Sequence, residues 1–547
     1  MTEALDEYSE YYADLLDNTY DCVDRIVLNA YFCMGQGAGG FRMWWRQWMG
    51  SDDDLDNTHL MRMAGRFSRR IRAHAKAHQI PLKDCAPRER KHEIAEEYLP
   101  KDANFTGVFL ILVARAPAPV WDVQCSKGGK IVNLAKKYPY VNHYSFHILD
   151  PDWGHVTIKM SGHPPFGAQI ILNGHEYVAC QARKEGIQFS KEGNCFTQIS
   201  DATRHAQIAD TLCSPDIIGR LTQVCERWIY SACLCFALDL ADQEKTNFHY
   251  DYSIYQEEYS RNLLFQRGDE LEQVFQGTID RTRSLLDVKT LRTIFGAKKR
   301  PSHCKHQKEP RCEVVVERPE YDLTVFKIHF GKMTAKMYSK GERVLRTEVI
   351  VHNTKELRCG RSLPNFSEIV LRLKEILIRF LNALRCIDIA SISNNSLDNW
   401  HTPSQVGQTR VGGVDINQAR MRAVMQAVIA LSAAPYGFQS ADLAAKVQEN
   451  TASPYTPRQA AYDLKKLRGK NMVCKIENSR HYEPVPDRLR EMTALFVLRE
   501  KVIKPVLAGA GRTRRGPKPK RQSQVDIHYA NIQTEMCNLF QTIGLAV

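Results

Sequence analysis

Between Asn417 and Pro486, three helix-length apolar stripes are followed by two short strand patterns, an order that few folds accommodate. ARMRAVMQAVIALS sets Met421, Val424, Met425, Val428, Ile429 and Leu431 on one stripe at helical spacing. In QSADLAAKVQEN, Ser440 is an N-cap candidate and Leu443, Ala444 and Val447 face inward. TPRQAAYDLKKLRGK opens with Thr456 as cap and Pro457 at the first helical position, where a missing N–H costs nothing. Gly469 ends that helix. NMVCKI and RHYEPV then read as strands joined by a Glu477-Asn478-Ser479 turn. Three helices and a two-stranded wing make a winged helix-turn-helix. Its third helix carries Arg458, Gln459, Tyr462, Lys465, Lys466 and Arg468, which suit base edges and phosphates in a major groove. The wing adds Arg480 and His481.

A cationic stretch follows. Between Lys501 and Arg521 stand eight Lys or Arg and no acid. Pro517 and Pro519 forbid a helix through Arg512, Arg514, Arg515, Lys518, Lys520 and Arg521, so a flexible arm that releases counterions on meeting phosphate is expected. The formal net charge of +13 over 547 residues also points to polyanionic partners, with an acidic membrane surface as the competing explanation. The bland reading of the winged helix is a protein-docking module.

Hydrophobic content of 43% supports packed cores and excludes a disordered chain. The longest apolar run, between Gly107 and Arg115, is strand length, so no membrane span is expected. The acidic start, MTEALDEYSEYYADLLD, does not read as a signal peptide. Sixteen cysteines without a framework fit a reducing cytosol, hence a cytoplasmic location. His303, Cys304 and His306 with Cys312 form the one compact His/Cys cluster, in a lysine-rich stretch that reads as a solvated linker.

The patterns predict a multidomain α+β chain. Residues 1–103 alternate strand and helix as an α/β unit containing the basic helix HLMRMAGRFSRRIRAHAKAHQ, with Arg69, Arg70 and Arg72, whose cations cover most of its circumference and form either a solvated face or a surface that tracks a nucleic-acid backbone. Residues 104–300 are strand-rich, then helical, with a helix expected through AQIILNGHEYVACQARKEG. Residues 301–400 read as an antiparallel sheet plus the helix FSEIVLRLKEILIRFLNALR, packed on the central domain. A linker, 401–416, leads to the winged helix at 417–490, and a helix, the basic arm and a terminal helix fill 491–547.

Four constellations bear on chemistry. Gly35-Gln-Gly37-Ala-Gly-Gly40 matches GxGxxG between a strand and a helix, but no second strand ends in an acid about twenty residues on, so a glycine turn and no nucleotide cofactor are expected. Asp150, Asp152 and His155 stand at a strand end, where they form either a tight turn or, with Glu348, a site for magnesium or manganese. Asn173-Gly-His175-Glu176 adds adjacent polar groups of uncertain setting. In the hairpin from Lys336 to Glu348, Lys336, Tyr338 and Lys340 share one face of the first strand, and Arg346 and Glu348 share one face of the second. That set reads as a tyrosine nucleophile with an orienting or metal-binding glutamate, or as a cross-strand ladder or phosphate-contacting surface.

YSKGERVLRTEVIVHNTKELRCGRSL, LNGHEYVACQARKEGI, DPDWGHVTIKMSGHPPF and DYSIYQEEYSR resemble segments of a large group of bacterial proteins that end in a winged helix. The likeness covers most of the chain and implies the whole architecture. More locally, the Tyr-x-Lys-Gly…Leu-Arg-x-Glu hairpin is similar to some rolling-circle replication initiators of plasmids and filamentous phages. That likeness implies Tyr338 as nucleophile or phosphate contact and Glu348 as metal ligand, with Arg346 and Lys340 beside them. Initiators of the His-hydrophobic-His type carry two imidazoles two residues apart, whereas His143 and His147 are four apart and His155 and His163 eight apart. These readings lead to a nucleic-acid-binding protein, DNA before RNA, in replication or a mobile element, with metal-dependent phosphodiester chemistry as a further expectation. A non-enzymatic DNA-binding regulator and an RNA-binding factor are the alternatives.

Overall fold

The computed structural model describes the chain except residues 1–5, 88, 103, 127–130, 283–289, 295–310, 318–323, 389–398, 452, 505–523 and 543–547. The cationic arm (Arg512, Arg514, Arg515, Lys518, Lys520, Arg521) and His303, Cys304 and His306 lie outside the described residues. Two compact units emerge: residues 14–272 with 292–377, and residues 1–13 with 273–291 and 378–547.

The first unit is built on one mixed sheet. Its strands are β1 (Leu16–Phe32), β2 (Leu82–Asp84), β3 (Gly107–Pro117), β6 (Tyr140–Asp150), β7 (Gly154–Ser161), β8 (Ala168–Asn173), β11 (Tyr250–Phe265), β14 (Thr324–Phe330), β15 (Met333–Lys340) and β16 (Val344–Val351). Their order is β14-β15-β16-β11-β1-β8-β7-β6-β3-β2, and β13 (Arg311–Glu317) and β12 (Thr290–Ile294) continue the β14 edge. Only the pair β2 and β3 is parallel among the described pairings. Two hairpins stand apart: β4 (Val120–Cys125) with β5 (Ile131–Lys137), and β9 (Phe189–Lys191) with β10 (Phe196–Ile199).

Sequence boundaries at 103 and 300 do not break this sheet. β1, from the expected N-terminal unit, pairs with β11 on one side and β8 on the other, and β11 pairs with β16. The helix expected through AQIILNGHEYVACQARKEG is also corrected. AQIILN is strand β8, and its β-branched pair Ile170 and Ile171 suits a pleated sheet. The helix Gly174–Lys184 begins only where Asn173 caps it, its Oδ1 accepting from the N–H groups of His175 and Glu176 at 2.8 and 3.3 Å.

The glycine loop is a packing device. A Cβ on Gly35 would lie 2.8 Å from Phe32 and Pro165, and one on Gly40 2.3 Å from the Met34 carbonyl oxygen. That closeness lets the chain turn from β1 through a short 3-10 helix, Met34–Gln36, into the helix Ala38–Met49, which buries Phe41, Trp44, Trp45 and Trp48. The basic helix, Asn57–Ala77, has a definite buried stripe, Leu60, Met63, Phe67, Ile71 and Ala75, so its cations occupy the remaining faces rather than most of the circumference.

In the second unit the elements come in the order expected for residues 417–490: helices Ala419–Leu431, Ser440–Thr451 and Pro457–Gly469, then β19 (Val473–Lys475) and β20 (Tyr482–Pro484). Phe438 forms an isolated antiparallel bridge with Tyr482 of β20. The expected linker 401–416 instead contains a hairpin, β17 (Ser404–Val406) with β18 (Thr409–Val411). It reaches the end of the third helix, where a Cβ on Gly469 would lie 2.7 Å from that of Ser404 and where Lys470 donates to Thr402 Oγ1 at 2.8 Å. Among the described residues, no helix is long and apolar enough to cross a membrane.

Candidate nucleic-acid interface and a buried polar cluster

The helix Pro457–Gly469 begins with a capping box. Thr456 Oγ1 accepts from Gln459 N–H at 3.3 Å, and Gln459 Oε1 accepts from Thr456 N–H at 2.8 Å. Gln459 therefore spends its carbonyl oxygen on the helix start, and its NH₂ is what remains for a base. The helix is fixed from beneath by Asp463, 1% exposed, which accepts from Tyr455 Oη at 2.8 Å and Arg420 Nε at 2.9 Å. Asp463 points inward, where it also pairs at 3.9 Å with Lys466 of its own helix. Arg458, Tyr462 and Arg468 are exposed, and Lys465 and Lys466 half-buried. Arg458, Lys465 and Arg468 make no ion pair among the described residues. Lys466 Nζ lies 5.1 Å from the Tyr462 ring centroid. On the wing, Arg480 is exposed, and His481 Nε2 lies 2.9 Å from Gln439 Nε2. The β17–β18 hairpin brings exposed Arg410 into the same unit, a residue that a linker reading overlooks.

The other concentration of charge lies in the large sheet. Register sets Lys336 opposite Glu348 and Glu348 opposite Ser260; in the next row Tyr338 faces Arg346 and Arg346 faces Asn262. Residues two apart share a face, so these side chains form one patch, which Tyr20 and Cys22 of β1 extend. β1 then bulges between Val23 and Ile26, and Asp24 sits in the bulge. Its Oδ2 lies 3.1 Å from Arg346 Nη1, and its Oδ1 lies 3.2 Å from His175 Nδ1 and accepts from Asn194 Nδ2 at 2.6 Å. Arg346 also donates from Nε to Asn262 Oδ1 at 2.7 Å and from Nη2 to the Asn194 carbonyl at 2.6 Å and His175 Nε2 at 2.9 Å. Arg346, Asp24, His175 and Asn262 are buried.

Local structure delivers His175 to this place. A Cβ on Gly174 would sit 1.9 Å from the Val23 carbonyl oxygen, so glycine is what allows the helix to start against the bulge. Guanidinium groups only donate, so His175 Nε2 accepts and the ring keeps its proton on Nδ1, towards Asp24. Burial pushes His175 down to about 4, against the pull of Asp24. Burial favours a protonated Asp24, but Arg346 and His175 overcome it and hold the carboxyl well below the usual carboxylate range.

Around this core, Tyr338 Oη donates to Glu348 Oε2 at 2.8 Å, Lys336 pairs with Glu348, and Lys340 hydrogen-bonds Asn194. Burial and the Glu348 carboxylate push the Tyr338 phenol well above its ordinary value, so in this arrangement it is a donor and not a phenolate. Burial and Arg346 lower Lys340 to about 8, while burial and Glu348 raise Glu258 to about 7. Burial thus brings one amine and one carboxyl of the patch towards neutrality from opposite sides.

The four expected metal ligands are not assembled. Asp150 makes the tight turn: its Oδ1 accepts from the N–H groups of Asp152 and Trp153 at 2.8 and 2.9 Å. Its Oδ2 accepts from Arg227 Nη1 at 2.6 Å and Trp228 Nε1 at 2.8 Å. Asp152 pairs with Lys184 at 2.5 Å and Arg227 at 2.9 Å, which lower its pKa. Guanidinium and ammonium groups hold the positions a divalent cation would take. His155 Nε2 turns to His147 Nδ1 at 3.0 Å. Glu348, on β16, is four strands from β7 in the sheet order, about 19 Å at the usual strand spacing. These residues do not fit one metal centre, and no group of three or more His, Cys, Asp or Glu suited to a metal occurs among the described residues. On the basic helix, Arg72 is paired with Asp84 at 2.8 Å, Arg69 is exposed and Arg70 half-buried.

Comparison with protein-family models, curated proteins and solved structures finds no match.

Proposed function

We propose that this chain binds nucleic acid, duplex DNA before RNA, through the winged helix, with the helix Pro457–Gly469 in the major groove. The observation that carries the reading is the division of charge on that helix: Arg458, Lys465 and Arg468 are unpaired among the described residues, while Asp463 is turned into the core. Exposed cations without partners are available to displace counterions from phosphate and to donate to guanine. The buried cluster supports an architectural role for the Lys336–Glu348 ladder. Its arginine has four of its five N–H groups engaged, and its tyrosine donates to Glu348. A replication or mobile-element setting accords with the hairpin resemblance but draws nothing further from the geometry.

Fluorescence anisotropy of the full chain with labelled duplex DNA tests this reading. Arg458→Ala/Arg468→Ala should weaken binding at least tenfold and reduce the slope of log K against log salt by roughly 1.8, about 0.9 for each phosphate that the variant no longer neutralises. Undiminished duplex affinity in that variant overturns the reading. Equal loss for duplex RNA of the same sequence would favour an RNA-binding factor.

A further inference from the structure

A cavity of about 670 Å³ opens in the sheet unit, away from the Arg346 cluster. The start of the basic helix (Asn57, Leu60, Met61) forms one side, and the β4–β5 hairpin (Val120, Trp121, Asp122, Lys137) another. Arg115 of β3 and Tyr140 of β6 close it. That size falls within the range of small-ligand and nucleotide pockets.

Its walls are fixed. Asn57 Oδ1 accepts from the Val123 N–H at 2.8 Å, and its Nδ2 donates to the Val123 carbonyl at 3.1 Å, pinning hairpin to helix. Trp121 is buried, donates from Nε1 to the Gly35 carbonyl at 3.1 Å, and carries Lys136 Nζ 5.2 Å from its ring centroid. Tyr140, which lines the cavity, is 65% exposed, and Tyr138, two residues before it in the chain, is 68% exposed, far more than a packed phenol requires. The charge is one-sided. Asp122, the one carboxylate among the described lining residues, is neutralised by Lys137 at 2.7 Å. Arg115 spends one N–H on the Tyr140 carbonyl at 2.9 Å, and exposed Lys136 makes no ion pair among the described residues. Exposed phenol rings beside cations that carry no ion pair among the described residues, over a hydrogen-bonded floor, suit a ligand that alternates flat aromatic groups with negative charge.

We infer that this cavity and its tyrosine rim bind an unpaired stretch of single-stranded nucleic acid. Tyr138 and Tyr140 stack against successive bases, and Arg115 and Lys136 face the intervening phosphates. Base stacking on aromatic side chains is indifferent to sequence, so the site adds affinity for an open strand without choosing one. The inference rests on the nucleic-acid reading above but uses a different surface and a different form of the ligand.

The test is anisotropy of the full chain with a fluorescein-labelled oligo-dT strand of about twelve nucleotides, within the usual footprint of such sites, beside the labelled duplex. Tyr138→Ala/Tyr140→Ala should lose at least tenfold in single-strand affinity and keep duplex affinity. Tyr138→Phe/Tyr140→Phe should retain single-strand binding, because the rings remain. Arg458→Ala/Arg468→Ala should show the reverse pattern, losing the duplex and keeping the strand. If the native chain ignores the strand, or if the alanine pair binds it as the native chain does, the inference is overturned. If the strand binds through the tyrosines while the native chain ignores the duplex, the inference stands and the winged-helix reading falls. Both tyrosines are exposed, so an unchanged melting temperature shows that lost binding is not lost folding.

Discussion

Arg346 and Arg458 are the same residue in opposite situations. Arg346 is fully buried, paired with Asp24, and donates to Asn262, Asn194 and His175. Arg458 is exposed on the helix Pro457–Gly469, with no ion pair among the described residues. A desolvated guanidinium is tolerated only where its donors are matched, and once matched it has nothing left for a ligand. A hydrated one contributes little to stability and keeps its donors for phosphate or a base edge. Charge density along the sequence does not distinguish the two situations; burial does.

The largest expected effect lies on the buried side. Arg346→Ala leaves Asp24 buried without its cation and should cost about 3–5 kcal/mol, read as a large fall in the denaturant midpoint or as failure to fold. Asp24→Asn/Arg346→Met, which removes both charges together, should recover part of that loss. If Arg346→Ala is as stable as the native chain, the cluster is not what holds these strands together.

Acid should come next. His175 is held neutral, at about 4 against an unfolded value near 6.5, and burial lowers His143 to about 4 and His147 to about 3. A folded-state value below the unfolded one means that the unfolded chain binds more protons in that window. Stability from these groups is therefore complete above pH 6.5 and is lost as pH falls towards 4. His175 alone is worth about 3 kcal/mol by this linkage. Buried Glu257 and Glu258, whose values are raised, act in the opposite sense over the same interval, so the test uses Glu257→Gln/Glu258→Gln: in that variant the melting temperature should drop from pH 7 to 4, and a flat profile would contradict the neutral, buried imidazoles.

The smallest effect sharpens the contrast within the cluster. Tyr338→Phe removes one donor to Glu348 but leaves the Lys336–Glu348 pair, and should cost about 1 kcal/mol. It should leave duplex binding unchanged. If the native chain cleaves DNA with magnesium or manganese and Tyr338→Phe abolishes cleavage at unaltered stability, the tyrosine is a nucleophile and the ladder is not merely architectural.

The three helices and the hairpin of residues 417–490 were legible because their signals are local. Thr456 and Gln459, three residues apart, make the capping box, and the apolar stripe of Ala419–Leu431 has helical period. The hairpin from Lys336 to Glu348 was legible for the same reason, since cross-strand pairs follow from one tight turn. The partners of Arg346 were not. Asp24 is 322 residues away, His175 171 and Asn262 84, and only the β1–β11–β16 pairing and the β1 bulge bring them together. The AQIILN segment shows the limit of periodicity: six apolar and polar residues fit a strand or a helix, and Asn173-Gly174 was the punctuation that separated them. The stretch 401–416 looked like a linker because its polar residues hide a hairpin in whose two strands Val411 alone is buried.

Measuring duplex affinity and unfolding free energy on the same preparations of Arg346→Ala and Arg458→Ala/Arg468→Ala bears most directly on this division of labour. The expected result is a crossover: the buried substitution lowers stability by several kcal/mol, whereas the exposed pair lowers duplex affinity at least tenfold at native stability. If the exposed pair instead unfolds the chain, or leaves duplex affinity untouched, the account is contradicted.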